Sequence, residues 1–416
     1  MLTRKNWKNI PEPYFNVLDI GSSKISLISA GINDKGQIQI YGAATEASRG
    51  IRGGSIIDLN SVMESIGRAV DRLSHPNRLM TRDVFISLSG NHVQSMNSTG
   101  MITVRDGEVS LQDVEKVLKT ATAGCHLNDQ QIIHVLPQEY SVDKQSGIKM
   151  PVGMAGSRLD VKAHVIYVAV SAAQNIVKCV RRCGLNPVDL VMEPLASARS
   201  VLNMDDRDMG SCVIDIGGGT TGVAVCLDNT ILYTNSIPLG GWNITSDISR
   251  ALAIPKLMAE EVKIQYGNAC PWMVDPAWSV HVDSAENRVE RSISAQSLAN
   301  VISPRVQEIF AHVKDSLESS GIGKELTPEF VLTGGSSLMP GMQELAEEIF
   351  QGPVRVASPV RIDGLPSNLQ SPMGATAVGL LLYAREQYQH EVVICSDRPK
   401  WVRVFERTTS WASSNF

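Results

Sequence analysis

The sequence predicts an α/β protein of two like-folded halves, and three observations carry that prediction. One hairpin pattern occurs twice, at residues 17–28 and 213–225. Each copy has two aliphatic residues, Asp-Ile-Gly, small hydroxyl or glycine residues, and a second apolar strand. A third glycine loop, Thr333-Gly334-Gly335-Ser336-Ser337, follows the apolar run Phe330-Val331-Leu332. Strand-like and helical periodicities alternate between these landmarks. The length of 416 residues exceeds what one ordinary core accommodates, so more than one domain is expected.

Taken in order, Val17-Leu18-Asp19-Ile20, the turn Gly21-Ser22-Ser23 and Lys24-Ile25-Ser26-Leu27-Ile28 read as strand, turn, strand, with a third strand near 37–44. Val62, Ile66, Ala69, Val70 and Leu73 fall at helical intervals and predict a helix over 60–73. Residues 84–89 read as a strand. Residues 111–123 read as a helix capped by Ser110, with Asp113 three positions on. A strand over 161–170 precedes a helix over 172–183, ended by Gly184. Residues 84–164 therefore read as a compact insertion between two parts of a larger domain.

After the second hairpin, residues 243–253 and 255–266 read as helices and 271–292 as strands and turns. Helices follow at 298–319, with Pro304 inside, at 341–350 and at 375–386. Residues 387–398 carry no clear pattern and lead into the tail.

Composition narrows the function classes. Hydrophobic residues make up 43% and charged residues 19%, as in ordinary globular chains. The net charge of -5 disfavours nucleic acid as a partner, because phosphate contacts need a basic surface. The 7 cysteines are an odd, scattered set that fits a reducing compartment better than a disulfide framework. Cys179 and Cys183 lie one helical turn apart, without a second pair at zinc spacing. The N-terminus has no apolar core of a signal peptide, and no run reaches the roughly 20 apolar residues of a membrane span. A cytoplasmic protein is expected.

The glycine loops suggest the chemistry. A phosphate cradle needs backbone N–H groups aimed inward without an intervening Cβ, and short hydroxyls add donors. Gly21-Ser22-Ser23, flanked by Lys24, meets this need in the first half, and Gly217-Gly218-Gly219-Thr220-Thr221 in the second. Each loop follows an aspartate at a strand end. Asp19 and Asp215 facing each other across a triphosphate suit Mg²⁺, which keeps waters that carboxylates hold. Gly334-Gly335-Ser336 would let backbone approach a nucleoside. Singly, each motif is an ordinary turn; the three together, in this order, point to ATP and Mg²⁺ as cofactors.

This order of loops resembles the superfamily of actin, sugar kinases and heat-shock seventy-kilodalton chaperones. The resemblance implies an actin-like ATPase fold of two ribonuclease-H-like halves with nucleotide in the cleft. Met192-Glu193-Pro194-Leu195-Ala196-Ser197-Ala198 resembles the first connecting helix, and Glu193 then stands where a residue orients the attacking water. Ala259-Glu260-Glu261-Val262-Lys263 resembles the adenosine helix, with Glu260 and Lys263 near ribose and adenine. Met373-Gly374-Ala375-Thr376-Ala377-Val378-Gly379 resembles the second connecting helix. Without the resemblance, Glu193 reads as a helix start and Glu260 with Lys263 as a surface pair. Any catalysis would be slow, Mg-assisted attack of water on the γ-phosphate.

Within that superfamily the chain resembles the FtsA family of bacterial cell-division proteins. Gly50-Ile51-Arg52-Gly53-Gly54-Ser55-Ile56-Ile57-Asp58, Ile237-Pro238-Leu239-Gly240-Gly241 and Thr245-Ser246-Asp247-Ile248 carry the likeness, and Gly241 joins the nucleotide set. The resemblance implies domain 1A over 1–83, 165–205 and 371–390, and an inserted subdomain 1C over 84–164. It implies domain 2A over 206–250 and 303–370, and subdomain 2B over 251–302. A linker at 391–398 and an amphipathic helix at 399–416 would follow.

In the tail, Trp401, Val404, Phe405, Thr408, Trp411, Ala412 and Phe416 share one side of a helical wheel. Arg403, Glu406, Arg407 and three serines share the other. This is the layout of a helix lying in a membrane interface, with Trp401, Val404, Phe405, Trp411 and Phe416 facing lipid. The competing reading is a terminal helix packed on its own domain.

The resemblance implies a protein that binds ATP, self-assembles into filaments at the cytoplasmic membrane and holds FtsZ there. Arg305 and Glu308 match positions that contact the FtsZ C-terminal tail, and subdomain 1C is implied in contacts with later divisome proteins. Read alone, that pair is an i,i+3 helix salt bridge. Two alternatives stand beside this reading: a soluble small-molecule kinase on the same fold, and a pilus-assembly actin-like adaptor.

Overall fold

The computed structural model describes residues 14–74, 78–123, 125, 129–283, 290–322 and 329–395. Strands β1 (Tyr14–Ile20), β2 (Lys24–Ile32) and β3 (Ile38–Ala47) form an antiparallel meander, with Asp19 opposite Ser26. A short ribbon, β4 (Ile51–Arg52) with β5 (Ser55–Ile56), leads into α1 (Leu59–Ser74). The helix buries Val62, Ile66, Ala69, Val70 and Leu73, the stripe that the spacing predicts. Strand β6 (Asp83–Leu88) then pairs in parallel with β1.

A second sheet follows: β7 (Val93–Thr103), α2 (Leu111–Ala123), β8 (Gln130–Val142), β9 (Gln145–Ile148) and β10 (Arg158–Ala169). Its strand order is β7-β10-β8-β9, and α2 packs on it around Val117 and Ala121. The chain returns through α3 (Val170–Arg182) and β11 (Asn186–Met192), which completes the first sheet in the order β11-β6-β1-β2-β3.

Helices α4 (Glu193–Val201) and α5 (Met204–Met209) lead to the second half. Strands β12 (Ser211–Ile216), β13 (Thr221–Leu227) and β14 (Thr230–Ile237) repeat the meander. Helices α6 (Gly241–Leu252) and α7 (Lys256–Tyr266), the ribbon β15 (Ser279–Asp283) with β16 (Glu290–Ser294), and α8 (Ala295–Ser319) follow. Strand β17 (Glu329–Thr333), α9 (Met342–Phe350), β18 (Val354–Val356) and α10 (Ala375–Cys395) complete the described chain. The second sheet of this kind has the order β14-β13-β12-β17-β18. Both large sheets thus place an antiparallel meander beside two parallel strands, so the sequence repeat is a repeat of topology.

Two helices join the halves. Helix α4 follows the first sheet in sequence but packs on β12 and β13, while α10 follows the second half and packs back on β1 and β6. The two helices also pack against each other. Cores formed around Phe15, Ile66 and Leu381 in one half, and around Ile214, Phe310 and Leu332 in the other, flank this crossing.

The structure differs from the expected boundaries in three places. Residues 84–88, expected in the insertion at 84–164, lie in the first sheet, and the insertion sheet instead runs from Val93 to Ala169. Val84 to Leu88 is buried without alternation, the mark of an interior strand covered on both faces. Such a run does not say which sheet it joins. The boundary expected at 302/303 falls inside the continuous helix α8, which accommodates Pro304. Residues 391–395, expected in a linker, continue α10 to Cys395. No glycine or proline interrupts the chain between Gly379 and Pro399, so nothing local ends the helix sooner. The expected tail, including Trp401, Val404, Phe405, Trp411 and Phe416, lies outside the described residues, as does the rest of the linker.

Candidate nucleotide site

The two hairpin turns have the same construction. Gly21 N–H donates to the Lys24 carbonyl at 3.0 Å, and Gly217 N–H donates to the Thr220 carbonyl at 2.9 Å. The turns face each other closely. A Cβ on Gly218 would stand 2.9 Å from Ser23 Cβ, and one on Gly219 would stand 2.4 Å from Ser22 Oγ. Only glycine admits this approach.

Between the turns opens a cavity of ≈ 380 Å³. The sequence-predicted residues Asp19, Gly21, Ser22, Ser23, Lys24, Glu193, Asp215, Gly217, Gly218, Thr220, Gly241, Glu260, Lys263, Gly334, Gly335 and Ser336 all line it. Gly219 and Thr221 do not. Gly219 backs the first loop, and buried Thr221 donates its hydroxyl to the Leu239 carbonyl at 2.9 Å.

Three carboxylates converge at one end. Asp19 accepts from Ser87 Oγ at 2.9 Å, and that oxygen in turn accepts from Ile20 N–H at 2.9 Å. Asp215 Oδ2 accepts from Ser197 Oγ on α4, and from Thr376 Oγ1 on α10 at 3.2 Å. Glu193 opens α4, and Thr220 Oγ1 donates to its Oε2 at 3.4 Å. Burial holds the carboxyls of all three above the usual range; the Asp215 and then the Asp19 charge add to the effect on Glu193, and the Asp19 charge adds to it on Asp215. Lys24 counters them: it bonds the Met373 carbonyl, and Asp19 and Asp215 support its charge against the cost of burial. The ionised forms of these acids are disfavoured here, and a cation bound at this end of the cavity would stabilise them.

The third loop comes from β17. Gly334 has φ +85, and a Cβ there would stand 2.3 Å from Asp215 Oδ1 and 2.6 Å from the Ile216 carbonyl. Its glycine is required by conformation and by space alike. Ser336 Oγ donates to the Gly217 carbonyl at 3.2 Å, fastening this loop to the second turn. Opposite, Lys263 Nζ on α7 bonds Glu260 Oε2 at 2.7 Å, Thr245 Oγ1 at 2.9 Å and the Gly241 carbonyl at 3.1 Å. The i,i+3 pair is therefore part of the cavity wall. Burial lowers the Lys263 pKa, and Glu260 opposes that shift.

Sequence reasoning missed Trp242, Ile244, Ile264, Leu338, Met339, Pro372, Met373 and Thr376, which also line the cavity. Trp242 follows Gly240-Gly241 directly and Thr376 sits in the quoted connecting segment, so a signal existed for both. Met373 opens that same segment, while Ile244, Ile264, Leu338, Met339 and Pro372 carry no polar or glycine signature that marks a site. Arg305 lies away from this lining. It forms a two-point bond to Asp247, at 2.6 and 3.2 Å, and pairs with Glu308. Asp247 on α6 is a partner that the i,i+3 spacing did not reveal.

The description "SHS2 domain inserted in FTSA" matches residues 90–167, and "Cell division protein FtsA" matches residues 212–379. The Cell division protein FtsA of Pseudomonas aeruginosa is 40% identical over 96% of this chain and 97% of its own length. This chain belongs to the FtsA family. The Escherichia coli K12 FtsA is 36% identical over 96% of this chain and 97% of its own. The FtsA fold is the actin-like one. Its solved neighbours include a PilM-PilN type IV pilus biogenesis complex, at TM-score 0.63 and 20% identity over 90% of this chain and 99% of that one. MreB5 of Spiroplasma citri bound to ADP matches at TM-score 0.54 and 14% identity, over 90% of this chain and 98% of that one. FtsA membership makes this a cell-division protein and favours neither the small-molecule kinase nor the pilus-assembly adaptor. The match at 90–167 agrees with the insertion sheet, beginning after β6. No helix of the described residues is long and apolar enough to cross a membrane.

Proposed function

We propose that this chain binds ATP with Mg²⁺ between its halves and self-assembles into filaments on the cytoplasmic face of the membrane. There it anchors FtsZ filaments through their C-terminal tails, and it engages later division proteins through the insertion. The observation that carries the nucleotide reading is the pair of matching glycine turns facing each other over the buried Asp19 and Asp215 and the partly buried Glu193. Glycine turns lining the cavity beside acids whose ionised forms a cation would stabilise suit a polyphosphate accompanied by a divalent cation.

The residues fit that ion. Among the described residues no three acids, histidines or cysteines are close enough to ligate a metal directly. On this reading Asp19 and Asp215 would hold the mostly hydrated Mg²⁺ through its waters. When bound, the ion neutralises charge on the phosphates. Glu193, partly buried and supported by Thr220, orients a water in the same cavity, while Lys24 adds positive charge. Glu260 and Lys263 take the ribose, beside a wall of Leu338, Met339 and Met373 for the base.

Membrane attachment rests on the amphipathic pattern of residues 401–416. With anionic liposomes and Mg-ATP, the full chain is expected to float and a chain ending at Asp397 to remain in solution. Equal flotation of both would remove the tail as anchor. One tail buries little apolar surface, so assembly into filaments strengthens attachment by multivalency.

FtsZ binding is assigned to the α6–α8 surface around Arg305 and Glu308. Arg305→Glu would face Asp247 and Glu308 with a third acid. It is expected to weaken capture of an FtsZ C-terminal peptide by about tenfold or more, measured by fluorescence anisotropy. Wild-type affinity would take Arg305 out of the interface.

A further inference from the structure

The start of α6 differs from an ordinary anion-binding helix end. The N–H groups of Gly241 and Trp242 are already used, donating to the carbonyls of Gly217 at 2.9 Å and Gly218 at 2.7 Å. What this point of the chain offers the cavity is instead the Trp242 side chain. A Cβ on Gly218 would stand 3.1 Å from Trp242 Nε1, 3.2 Å from its Cδ1 and 2.9 Å from Ser23 Cβ. The indole edge that carries the N–H therefore lies at the throat between the two glycine turns. Its Nε1 makes no hydrogen bond to another described residue.

An indole N–H is a donor only, and it generally finds an acceptor when a site closes around it. The complementary ligand atom is an acceptor oxygen, and at this throat an anionic one suits the surrounding glycine N–H groups. We propose that the Trp242 indole N–H donates to the phosphate chain of the bound nucleotide, an assignment that rests on the nucleotide reading above. Trp242 thereby supplies a side-chain donor to a loop otherwise built of backbone and hydroxyl groups. It also closes the throat with an apolar ring that excludes water from the phosphates.

The test is competition against a fluorescent ATP analogue on the full-length protein with Mg²⁺. ATP, tripolyphosphate and adenosine serve as competitors. Trp242→Phe keeps the ring and removes the donor. It is expected to weaken ATP and tripolyphosphate by about tenfold each, with adenosine within about twofold of wild type. Trp242→His, which restores a ring N–H, is expected to recover part of the loss and controls for a packing defect in the Phe variant. Unchanged ATP affinity in Trp242→Phe overturns the assignment. So does a parallel loss of adenosine, which would make Trp242 a wall for the base. If the wild-type chain bound neither ATP nor tripolyphosphate, the nucleotide reading itself would fail, and that outcome is separable from the other two.

Discussion

Gly379→Ala is expected to destabilise the chain by about 3 kcal/mol or more and to weaken Mg-ATP binding along with it. The added methyl would stand 1.8 Å from the Ala196 carbonyl oxygen and 2.3 Å from its carbon. Both obstacles are backbone of α4, so no rotamer relieves them and the helices α4 and α10 must part. Parting them moves Ser197 and Thr376, the two hydroxyls that hold Asp215. Gly67, inside α1, is the control: a Cβ there meets nothing within 4 Å. Gly67→Ala is expected to be neutral or to stabilise by up to about 1 kcal/mol, since alanine is the better helix former. Urea midpoints of the two variants measure the contrast. Equal midpoints would show that the helix crossing tolerates a wider spacing.

Asp215→Asn is expected to separate stability from binding. Burial raises the folded-state pKa of Asp215, and the Asp19 charge adds to it, against bonds from Ser197 and Thr376. A carboxyl with a raised folded-state pKa contributes stability at pH below its unfolded value. That contribution is lost as pH rises through the folded value. The ligand-free protein therefore carries an unfavourable buried charge at neutral pH. Asparagine removes that charge while keeping an acceptor for the two hydroxyls. The variant is expected to melt above wild type at about pH 8 but not at about pH 5, and to bind Mg-ATP about 100-fold more weakly. Calorimetric melting at both pH values, with titration of Mg-ATP, reads both effects. Unchanged Mg-ATP affinity would sink the ion-site assignment for Asp215.

Parts of the site were readable from the chain and parts were not. Asp19 with Gly21-Ser22-Ser23, and Asp215 with Gly217-Gly218-Gly219, were legible because a turn is built from local backbone bonds. The partners of Asp215 were not. Ser197 lies 18 residues away and Thr376 lies 161 away, and each reads by itself as an ordinary small helix residue. Asp247 was hidden from the Arg305–Glu308 reading for the same reason, since its helix meets α8 only in the fold. Thr221 was misplaced in the opposite way: it continues the loop motif, but strand β13 turns its hydroxyl toward Leu239.

By itself the sequence determined the two hairpins, the amphipathic helices and the carboxylates that end the first strand of each half. Those features follow from side-chain period and glycine conformation, which act within a few residues. Tertiary structure alone decided that β6 joins β1 rather than the insertion, that Trp242 turns its N–H edge toward Gly218, and that Gly379 tolerates no methyl where Gly67 does. Apolar burial is non-directional, so a periodic stripe states that a face is covered but not by what. Which partner covers it is settled only when distant segments pack, and the acid-lined candidate nucleotide cavity is assembled from those contacts.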